Sequence, residues 1–403
     1  MPTPTVTEIS DSVSFVKGVV VPAVYNGRLY IVNVYAGRAA VIDVDGKQVI
    51  DLGELDANTL AVNSRFLGVH YNPPIVKIRH AYARSGELVI AVDKVDLSAM
   101  QVTRTELRTV SLSWLTRWED IAHSAAIPPL LVLLPDWDNG DVHYVNVETG
   151  SVVDIDLGAA EHINEYRFSH KWIVKENDIE MHTGVHLSGT NHEKWSVYSH
   201  TRTDLGFSTG RAARPCMGGM AIFTDEILML GSGGGVVDAD NDFAVMDHNF
   251  SLLAMIDLSA ILGFNAAVPC GHIIAKKSDG GYYAILGSDN NASDYATKFA
   301  AYWVELDSSF NVQSSTKLIE VSTDTSTSSN LYPGYSDITA APVLHLQRKK
   351  IYFHVRDGKL NKGWLVEVDI SDVWGNIEEF NQRMWIVGAG KIPTIMTLAV
   401  VPL

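Results

Sequence analysis

Hydrophobic and polar positions alternate in short runs along most of the chain, and turn residues separate the runs. The sequence of residues 41–53, VIDVDGKQVIDLG, has nearly the same pattern as that of residues 145–158, VNVETGSVVDIDLG. We call this pattern the hairpin motif. Asp45-Gly46 and Thr149-Gly150 supply the turns, because Gly adopts positive φ without steric cost. Each hairpin motif therefore predicts a strand, a tight turn and a second strand.

The hairpin motif recurs along the chain, and a second pattern precedes it. Looser copies of the hairpin motif occur at 243–259, 302–322 and 364–373. The preceding pattern is an apolar run containing Pro, then a turn, then a strand, and it occurs at 20–32, 212–230, 266–286 and 340–355. Together they predict a unit of four short strands, A to D. The predicted centres of strand B lie near residues 31, 89, 132, 173, 228, 284 and 352.

Repeats of about 40 to 50 residues with four strands each are typical of propeller blades. Neighbouring blades bury faces that one blade cannot bury alone. We therefore predict an all-β fold: a single β-propeller domain over residues 1–403 with about seven four-stranded blades, six and eight being the alternatives. The last residues, 394–403, have no blade of their own, and we expect them to pair with the N-terminal segment 13–21 to close the ring.

Two stretches carry the likeness to a known family: Pro22–Tyr30, which reads PAVYNGRLY, and Val41–Gly46, which reads VIDVDG. They resemble the β-propeller superfamily, most closely its PQQ-like and YVTN-type repeats. The resemblance is clear in blades 1, 5, 6 and 7 and poor at 60–127 and 160–205. It implies an architecture only, because the fold is used by enzymes, receptors and scaffolds alike.

Two segments depart from the strand pattern. Leu115, Trp118, Ile121 and Ala122 have helical spacing, which predicts a helical insertion between blades over residues 112–126. Residues 376–384, NIEEFNQRM, predict a second helix.

The predicted connections are unequal on the two faces of the ring. The A–B and C–D turns are minimal, whereas the B–C connections at 135–141, 231–242 and 287–298 are long and polar. Long loops on a rigid frame are where binding usually occurs. The face of the B–C and D–A connections is therefore the predicted partner-binding face.

Composition narrows the functional classes. The chain has 403 residues, 46% of them hydrophobic, with a formal net charge of −16 at pH 7 and two cysteines. No basic stripe is present, which disfavours nucleic acid as a partner. The sequence shows neither a signal peptide nor a membrane span, which leads us to expect a cytoplasmic or particle-associated protein. Two cysteines cannot build a disulfide framework.

The long loops hold two acidic groups. Interface hot spots favour aromatic residues, so Trp137 and Tyr295 are the predicted anchors for a protein partner. The predicted partner-binding acidic residues beside them are Asp138, Asp238, Asp240 and Asp242. A hard cation such as Ca²⁺ is the alternative use of the loops. Its candidate ligands are Asp136, Asp138, Asp141, Asp238, Asp240 and Asp242. The EF-hand spacing fails here, and Asp, Asn and Gly are also ordinary turn residues, so we expect no cofactor.

Two sets of soft ligands are weaker candidates. His182 and His186 lie on one face of a predicted strand, roughly 13 Å apart, which is too far to share an ion. Cys216 and Cys270 occupy matching places on predicted inner strands, with His272 nearby, so a soft-metal site is an alternative to simple apolar packing.

Two sequence motifs of catalysis lack their structural context. Residues 206–210, GFSTG, match G-x-S-x-G around Ser208, but they join strand D of one blade to strand A of the next. Residues 231–235, GSGGG, lack the Lys of a phosphate-binding loop.

The predicted inner strands are apolar except for Arg214, His272 and His345. We therefore expect no catalytic residues and favour a non-catalytic scaffold, a structural component of a larger assembly such as a virus particle or surface appendage, with homo- or hetero-oligomeric protein partners. The alternative is a hydrolase, lyase or quinone-dependent dehydrogenase with its site over the central channel.

Overall fold

Strands dominate the computed structural model, which describes the following residues: 1–10, 19–34, 37–55, 59–84, 86–113, 115, 125–127, 130–133, 141–156, 171–175, 178–184, 191–196, 201–208, 220–232, 242–249, 251–263, 268–289, 298–322, 331–333, 342–357 and 362–388. Helical structure among them is confined to α1 (Leu258–Leu262) and a 3-10 turn (Trp374–Asn376). The chain is an all-β protein with the fold of a β-propeller.

The strands of the described residues form seven sheets, each built on four strands that we call A to D from the inner to the outer edge. Sheets 1 and 2 hold β2 (Val19–Tyr25), β3 (Arg28–Val34), β4 (Arg38–Asp43) and β5 (Gln48–Glu54), then β6 (Thr59–Asn72), β7 (Ile75–Arg84), β8 (Glu87–Asp96) and β9 (Gln101–Ser111). Sheets 3 and 4 hold β10 (Ala125–Ile127), β11 (Leu130–Leu133), β12 (Asp141–Asn146) and β13 (Val152–Asp156), then β14 (Lys171–Lys175), β15 (Asp178–Gly184), β16 (Asn191–Ser196) and β17 (Thr201–Ser208).

Sheet 5 holds β18 (Met220–Ile222), β19 (Ile227–Ser232), β20 (Asp242–Asp247) and β21 (Leu252–Asp257). Sheet 6 holds β22 (Val268–Lys277), β23 (Tyr282–Asp289), β24 (Lys298–Leu306) and β25 (Val312–Ser322), with β30 (Ile377–Phe380) added to its inner edge. Sheet 7 holds β27 (Val343–His345), β28 (Lys350–Asp357), β29 (Lys362–Asp369) and, as its strand D, the N-terminal β1 (Thr3–Ser10). Two short strands extend sheet 7: β26 (Leu331–Pro333) beside β28, and β31 (Trp385–Val387) beside β27.

The hairpin motif recurs for a physical reason, which lies at the end of strand C. There an Asp or Asn side chain accepts a hydrogen bond from a backbone N–H two or three residues later, which fixes the C–D turn. The acceptors at C–D turns are Asp43, Asp96, Asn146, Asp247 and Asp307, and Asp369 accepts in the same way where β29 leads towards the 3-10 turn; each lies 2.8–2.9 Å from its donor nitrogen. The A–B turn of sheet 1 instead uses Asn26-Gly27, both at positive φ, as two-residue hairpins require.

The core lies between neighbouring sheets rather than in one centre. Val41 of sheet 1 belongs to one buried cluster with Ile78 of sheet 2 and Tyr352 of sheet 7. Other clusters join sheets 2 and 3, sheets 5 and 6, and sheets 6 and 7. Packing between sheets explains why strands B and C are nearly fully buried, as β3 and β4 are.

The prediction of a helix at 376–384 was wrong. Ile377–Phe380 is a strand that pairs with β22 from Ala275 to Lys277. The open inner edge of β22 offers backbone hydrogen bonds, and Ile377 and Phe380 pack against the cluster between sheets 6 and 7. Tertiary partners therefore override the local helical pattern.

The helix predicted at 112–126 does not reach its predicted end, because Ala125 begins β10. Residues 114 and 116–124 lie outside the described residues. The sequence analysis missed α1, although its signals are local: Asp257 accepts a hydrogen bond from the Ala260 N–H at 3.1 Å, and Gly263 ends the helix at φ +70°.

The N-terminal strand joins the sheet that is farthest along the chain. β1 pairs with β29 from Thr3 opposite Asp369 to Ser10 opposite Lys362. The predicted pairing of 394–403 with 13–21 concerns residues of which 13–18 and 394–403 lie outside the described part, so it stays a prediction, as does the number of blades. No helix in the described ranges is long and apolar enough to cross a membrane.

Candidate functional site

The three long loops of the prediction connect strands B and C. They run from β11 to β12, from β19 to β20 and from β23 to β24. In an antiparallel sheet these connections lie opposite the A–B and C–D turns. The sheet order thus assigns all three connections to one side of the propeller, which we call the loop face; the other side is the turn face.

Most side chains predicted to bind on the loop face lie outside the described residues. These are Asp136, Trp137, Asp138, Asp238, Asp240 and Tyr295. Asp141 and Asp242 are the first residues of β12 and β20. Their backbones therefore lie where the loops return to the sheets, and their role stays a prediction.

A segment that was predicted only in part, and as a helix, lies on the turn face along the inner strand ends. Residues 374–388, which we call the crossing segment, run along the inner edges of several sheets. β30 pairs with the end of β22 nearest its A–B turn, and β31 runs parallel to β27 with Trp385 opposite Val343. Between them, the Gln382 N–H donates to the Ile222 carbonyl of sheet 5 at 2.9 Å. The segment therefore bridges sheets 5, 6 and 7.

Asn381 is the polar anchor of the crossing segment and is 1% exposed. Its side-chain nitrogen donates to the Ile273 carbonyl at 2.8 Å and to the Met220 carbonyl at 3.3 Å. Its side-chain oxygen accepts from the N–H groups of Ile222 at 3.0 Å and Arg383 at 2.9 Å. All four hydrogen-bonding positions of the amide are used, which fixes the segment against two sheets.

Trp385 is the apolar anchor of the same segment. Its side chain is fully buried in the cluster that includes Val21 and Ala23 of β2, and its ring meets Phe66 of β6 edge-on, with centroids 5.9 Å apart. The crossing segment thus reaches sheets 1 and 2 as well. The apolar run 384–387, MWIV, was the signal in the sequence for a buried segment here, but the helix predicted over residues 376–384 overlapped it.

Ion pairs join neighbouring sheets on the turn face. The Arg348 guanidinium of sheet 7 donates to both carboxylate oxygens of Asp45 in sheet 1, at 2.8 and 3.1 Å. Burial opposes ionisation of Asp45, but the hydrogen bonds from Arg348 and the Leu29 N–H, together with the charges of Arg348 and Arg28, outweigh it and hold the pKa of this carboxyl below its usual value. Arg79 of sheet 2 donates to one carboxylate oxygen of Glu148 in sheet 3, at 2.6 Å.

Sheet 2 holds a buried charged network on the side that faces sheet 1. Arg104 donates to both oxygens of Asp93 at 2.7 Å, and the His80 ring lies 3.0 Å from the same carboxylate. His80 and Asp93 are fully buried. Although burial raises the pKa of Asp93, the hydrogen bonds and charges of Arg104 and His80 leave it below its usual value. Burial raises the pKa of the adjacent Tyr82 to about 12. The side chains of His80 and Asp93 have no accessible surface that a substrate could contact.

The weaker metal and catalytic candidates do not form a site in the described part of the chain. Cys270 and His272 lie on β22, whereas Cys216 falls outside the described residues. His182 lies on β15, as its alternating pattern predicts, and His186 is outside the described part. Ser208 is the last residue of β17. No group of three or more His, Cys, Asp or Glu side chains within the described ranges is arranged to hold a metal ion.

No protein-family model matches the chain, and no curated protein matches it. Among solved structures, the chain is similar to one in the crystal structure of the mitotic checkpoint complex, with 12% identity over 90% of this chain and 94% of that one and a TM-score of 0.47. It is also similar to the Synechocystis apocarotenoid oxygenase, with 10% identity over 75% and 71% of the two chains and a TM-score of 0.39.

A third similar structure is Kluyveromyces lactis Hsv2, with 10% identity over 72% of this chain and 83% of that one and a TM-score of 0.33. None of these likenesses assigns a role to a residue of this chain. The PQQ-like or YVTN repeat type therefore stays a prediction.

Proposed function

We propose that this protein is a non-catalytic β-propeller scaffold that binds a protein partner through its loop face. The observation that carries the proposal is the crossing segment. It covers the inner strand ends on the turn face and is anchored there by Asn381 and Trp385. We therefore assign the partner to the opposite side, where the long B–C connections lie.

The charges of the described residues support binding rather than catalysis. The Asp93 network is closed to solvent, and Lys277 lies between Asp279 and Glu305 at 2.9 and 2.8 Å. Catalytic acids and bases must reach the reacting group and exchange a proton with it. Here the buried charges are neutralised by fixed ion pairs, which is the arrangement of structural networks.

The proposed contacts are aromatic at their centre and acidic around it. Trp137 and Tyr295 would provide the apolar anchors, and each should contribute more than about 1 kcal/mol to partner binding. Asp138, Asp238, Asp240 and Asp242 would select a basic partner surface and speed its association. The larger setting that we propose is an assembly such as a virus particle or surface appendage.

The test is a comparison of the two faces by affinity purification with quantitative mass spectrometry. The variants are wild type, the double variant Trp137→Ala with Tyr295→Ala, and Tyr25→Ala as a matched aromatic control on the turn face. A partner of the loop face is retained by wild type and by the control and is lost with the double variant. Loss with Tyr25→Ala alone, or equal retention by all three, contradicts the proposal.

A second measurement distinguishes the contribution of the aromatic anchors to partner binding from that of the acidic residues. For a partner so identified, neutralising Asp238 and Asp240 should flatten the dependence of the association rate on salt, while the dissociation rate changes little. Sedimentation of the purified protein with that partner then tests for the larger assembly. A protein that stays a monomer in its presence contradicts an assembly role.

A further inference from the structure

The outer strand of sheet 5, β21, carries a group of exposed apolar side chains. Leu252, Leu253 and Met255 keep 38%, 46% and 38% of their surface exposed. No other strand whose side chains the structure describes has more than one exposed large hydrophobic residue. Single apolar residues are normal on a protein surface, whereas a contiguous group indicates an interaction site.

The edge of β21 is also open. β20 pairs with it on one side, and within the described residues no strand pairs with it on the other. An open edge offers unpaired backbone N–H and C=O groups to another strand, which proteins usually prevent with charged residues, with Pro or with a β-bulge. The register of β21 against β20 shifts between Val245 and Met246, but β5, β9 and β25 show such shifts as well. An irregular register therefore does not distinguish β21 from the other outer strands.

The absence of charge does distinguish β21. Each of the other six outer strands carries a charged residue before its last position, and β21 does not. These residues are Glu8, Asp51, Glu106, Asp154, Asp204 and Lys317. Residues 251–256, SLLAMI, are uncharged, and Asp257, which ends the strand, accepts a hydrogen bond from the Ala260 N–H at the start of α1. The usual electrostatic protection of an edge is therefore missing from sheet 5.

The charge of the whole chain indicates what pairs with this edge. Two copies with a formal net charge of −16 repel each other over most of their surfaces. Pairing two copies of β5 or of β13 would bring carboxylates together, and like charges opposite each other are destabilising. Two copies of β21 pair without that conflict. The uncharged stretch also has no charged group that would select a different, oppositely charged chain.

We propose that the outer edge of β21 is a self-association surface, at which two copies of this chain pair their β21 strands antiparallel and join their sheets 5 into one sheet. In a two-fold arrangement centred on Ala254, Leu253 of each copy lies opposite Met255 of the other, and Asp257 lies opposite Ser251. The apolar cross-strand pairs stabilise the contact. A strand of 6 residues is small beside the standard interface of about 800 Å² per partner, so the dimer should dissociate on dilution. The edge is not part of the loop face, so the dimer does not depend on the partner proposed there.

The test is sedimentation equilibrium of the full chain over a series of concentrations. Wild type should change from monomer to dimer as its concentration rises. Leu253→Lys, which places a charge on the edge, should raise the dissociation constant at least about tenfold, because the change acts twice at a two-fold interface. Leu107→Lys is the matched control: Leu107 is 51% exposed on β9, the outer strand of sheet 2, and this variant should dimerise as wild type does. Met255→Lys repeats the test at a second position and should weaken the dimer as Leu253→Lys does.

A wild type that stays monomeric up to its solubility limit overturns the proposal, and so does equal dimerisation of wild type and both edge variants. Equal weakening by Leu107→Lys also overturns it, because the dimer would then not form through β21. If Leu253→Lys does not fold, Met255→Lys decides. A monomeric wild type that binds a different protein, and loses it in Leu253→Lys, would assign the edge to another chain instead of a second copy. The double variant Trp137→Ala with Tyr295→Ala should stay dimeric, so this edge and the proposed partner face fail or succeed separately.

Discussion

Sheets 2 and 6 each bury a cation, and they neutralise it differently. In sheet 2, Arg104 shares a single enclosed carboxylate, Asp93, with His80. In sheet 6, Lys277 lies between Asp279 and Glu305, whose side chains keep 65% and 31% of their surface exposed. Removal of the enclosed carboxylate leaves a buried cation without its counter-charge, whereas a cation at the sheet edge retains a second carboxylate and water.

The largest effect should follow from Asp93→Asn. It leaves the Arg104 charge buried without its counter-charge, which should destabilise the protein by about 3–5 kcal/mol. Urea unfolding followed by circular dichroism measures the change. Asp51→Asn, which removes the surface partner of Arg38, is the control and should cost about 1 kcal/mol or less. Equal losses in the two variants would show that enclosure of the sheet 2 pair adds nothing.

The same carboxylate should make wild type sensitive to acid. Because the pKa of Asp93 is lower in the folded state, its contribution is fully present above the unfolded value of about 3.9 and is lost as the pH falls through the lower folded value. Melting temperatures measured from pH 7 down to pH 2 should fall more steeply for wild type than for Asp93→Asn in the acid range. Parallel curves would contradict this assignment.

A smaller effect is expected in sheet 6. Glu305→Gln leaves Lys277 paired with Asp279, so the loss should be about 1 kcal/mol or less. The hydrogen bonds to Glu305 and Asp279 outweigh desolvation and raise the pKa of Lys277, so its contribution is full below the unfolded value of about 10.4 and is lost at higher pH. Unfolding in urea at pH 7 and pH 11 tests both statements. A loss as large as that of Asp93→Asn would remove the contrast between the sheets.

No effect is expected from a chelator. If the acidic groups on the loop face bind a partner rather than Ca²⁺, EDTA should leave the melting temperature unchanged, and so should the double change Asp238→Asn with Asp240→Asn in the presence of Ca²⁺. Differential scanning calorimetry with and without Ca²⁺ measures this. A melting temperature that falls with EDTA, and that no longer falls in the double variant, would establish a cation site there.

Local sequence patterns predicted the repeating part of the fold because their causes are local. The Asp or Asn at the end of strand C and the Asn-Gly turn act through backbone groups a few residues away. The four-strand unit and the unequal connections of the two faces follow from them. The same kind of signal was present for α1, in the Asp257 cap and Gly263, and was overlooked.

The candidate site was less predictable. Asn381 interacts with residues more than one hundred positions away, Met220 and Ile273, and Asp93 and His80 meet only because β7 and β8 pair in one register. Nothing in NIEEFNQRM distinguishes a helix from a strand until an open sheet edge is available to it.

By itself the sequence determined the strands, their turns and the repeat, because φ and ψ preferences and short side-chain hydrogen bonds act within a few residues. Only the tertiary structure decided that β1 completes sheet 7 and that residues 374–388 cross the inner strand edges. Those outcomes depend on which distant strand edges and charged groups come into contact, and burial makes each such contact favourable or costly.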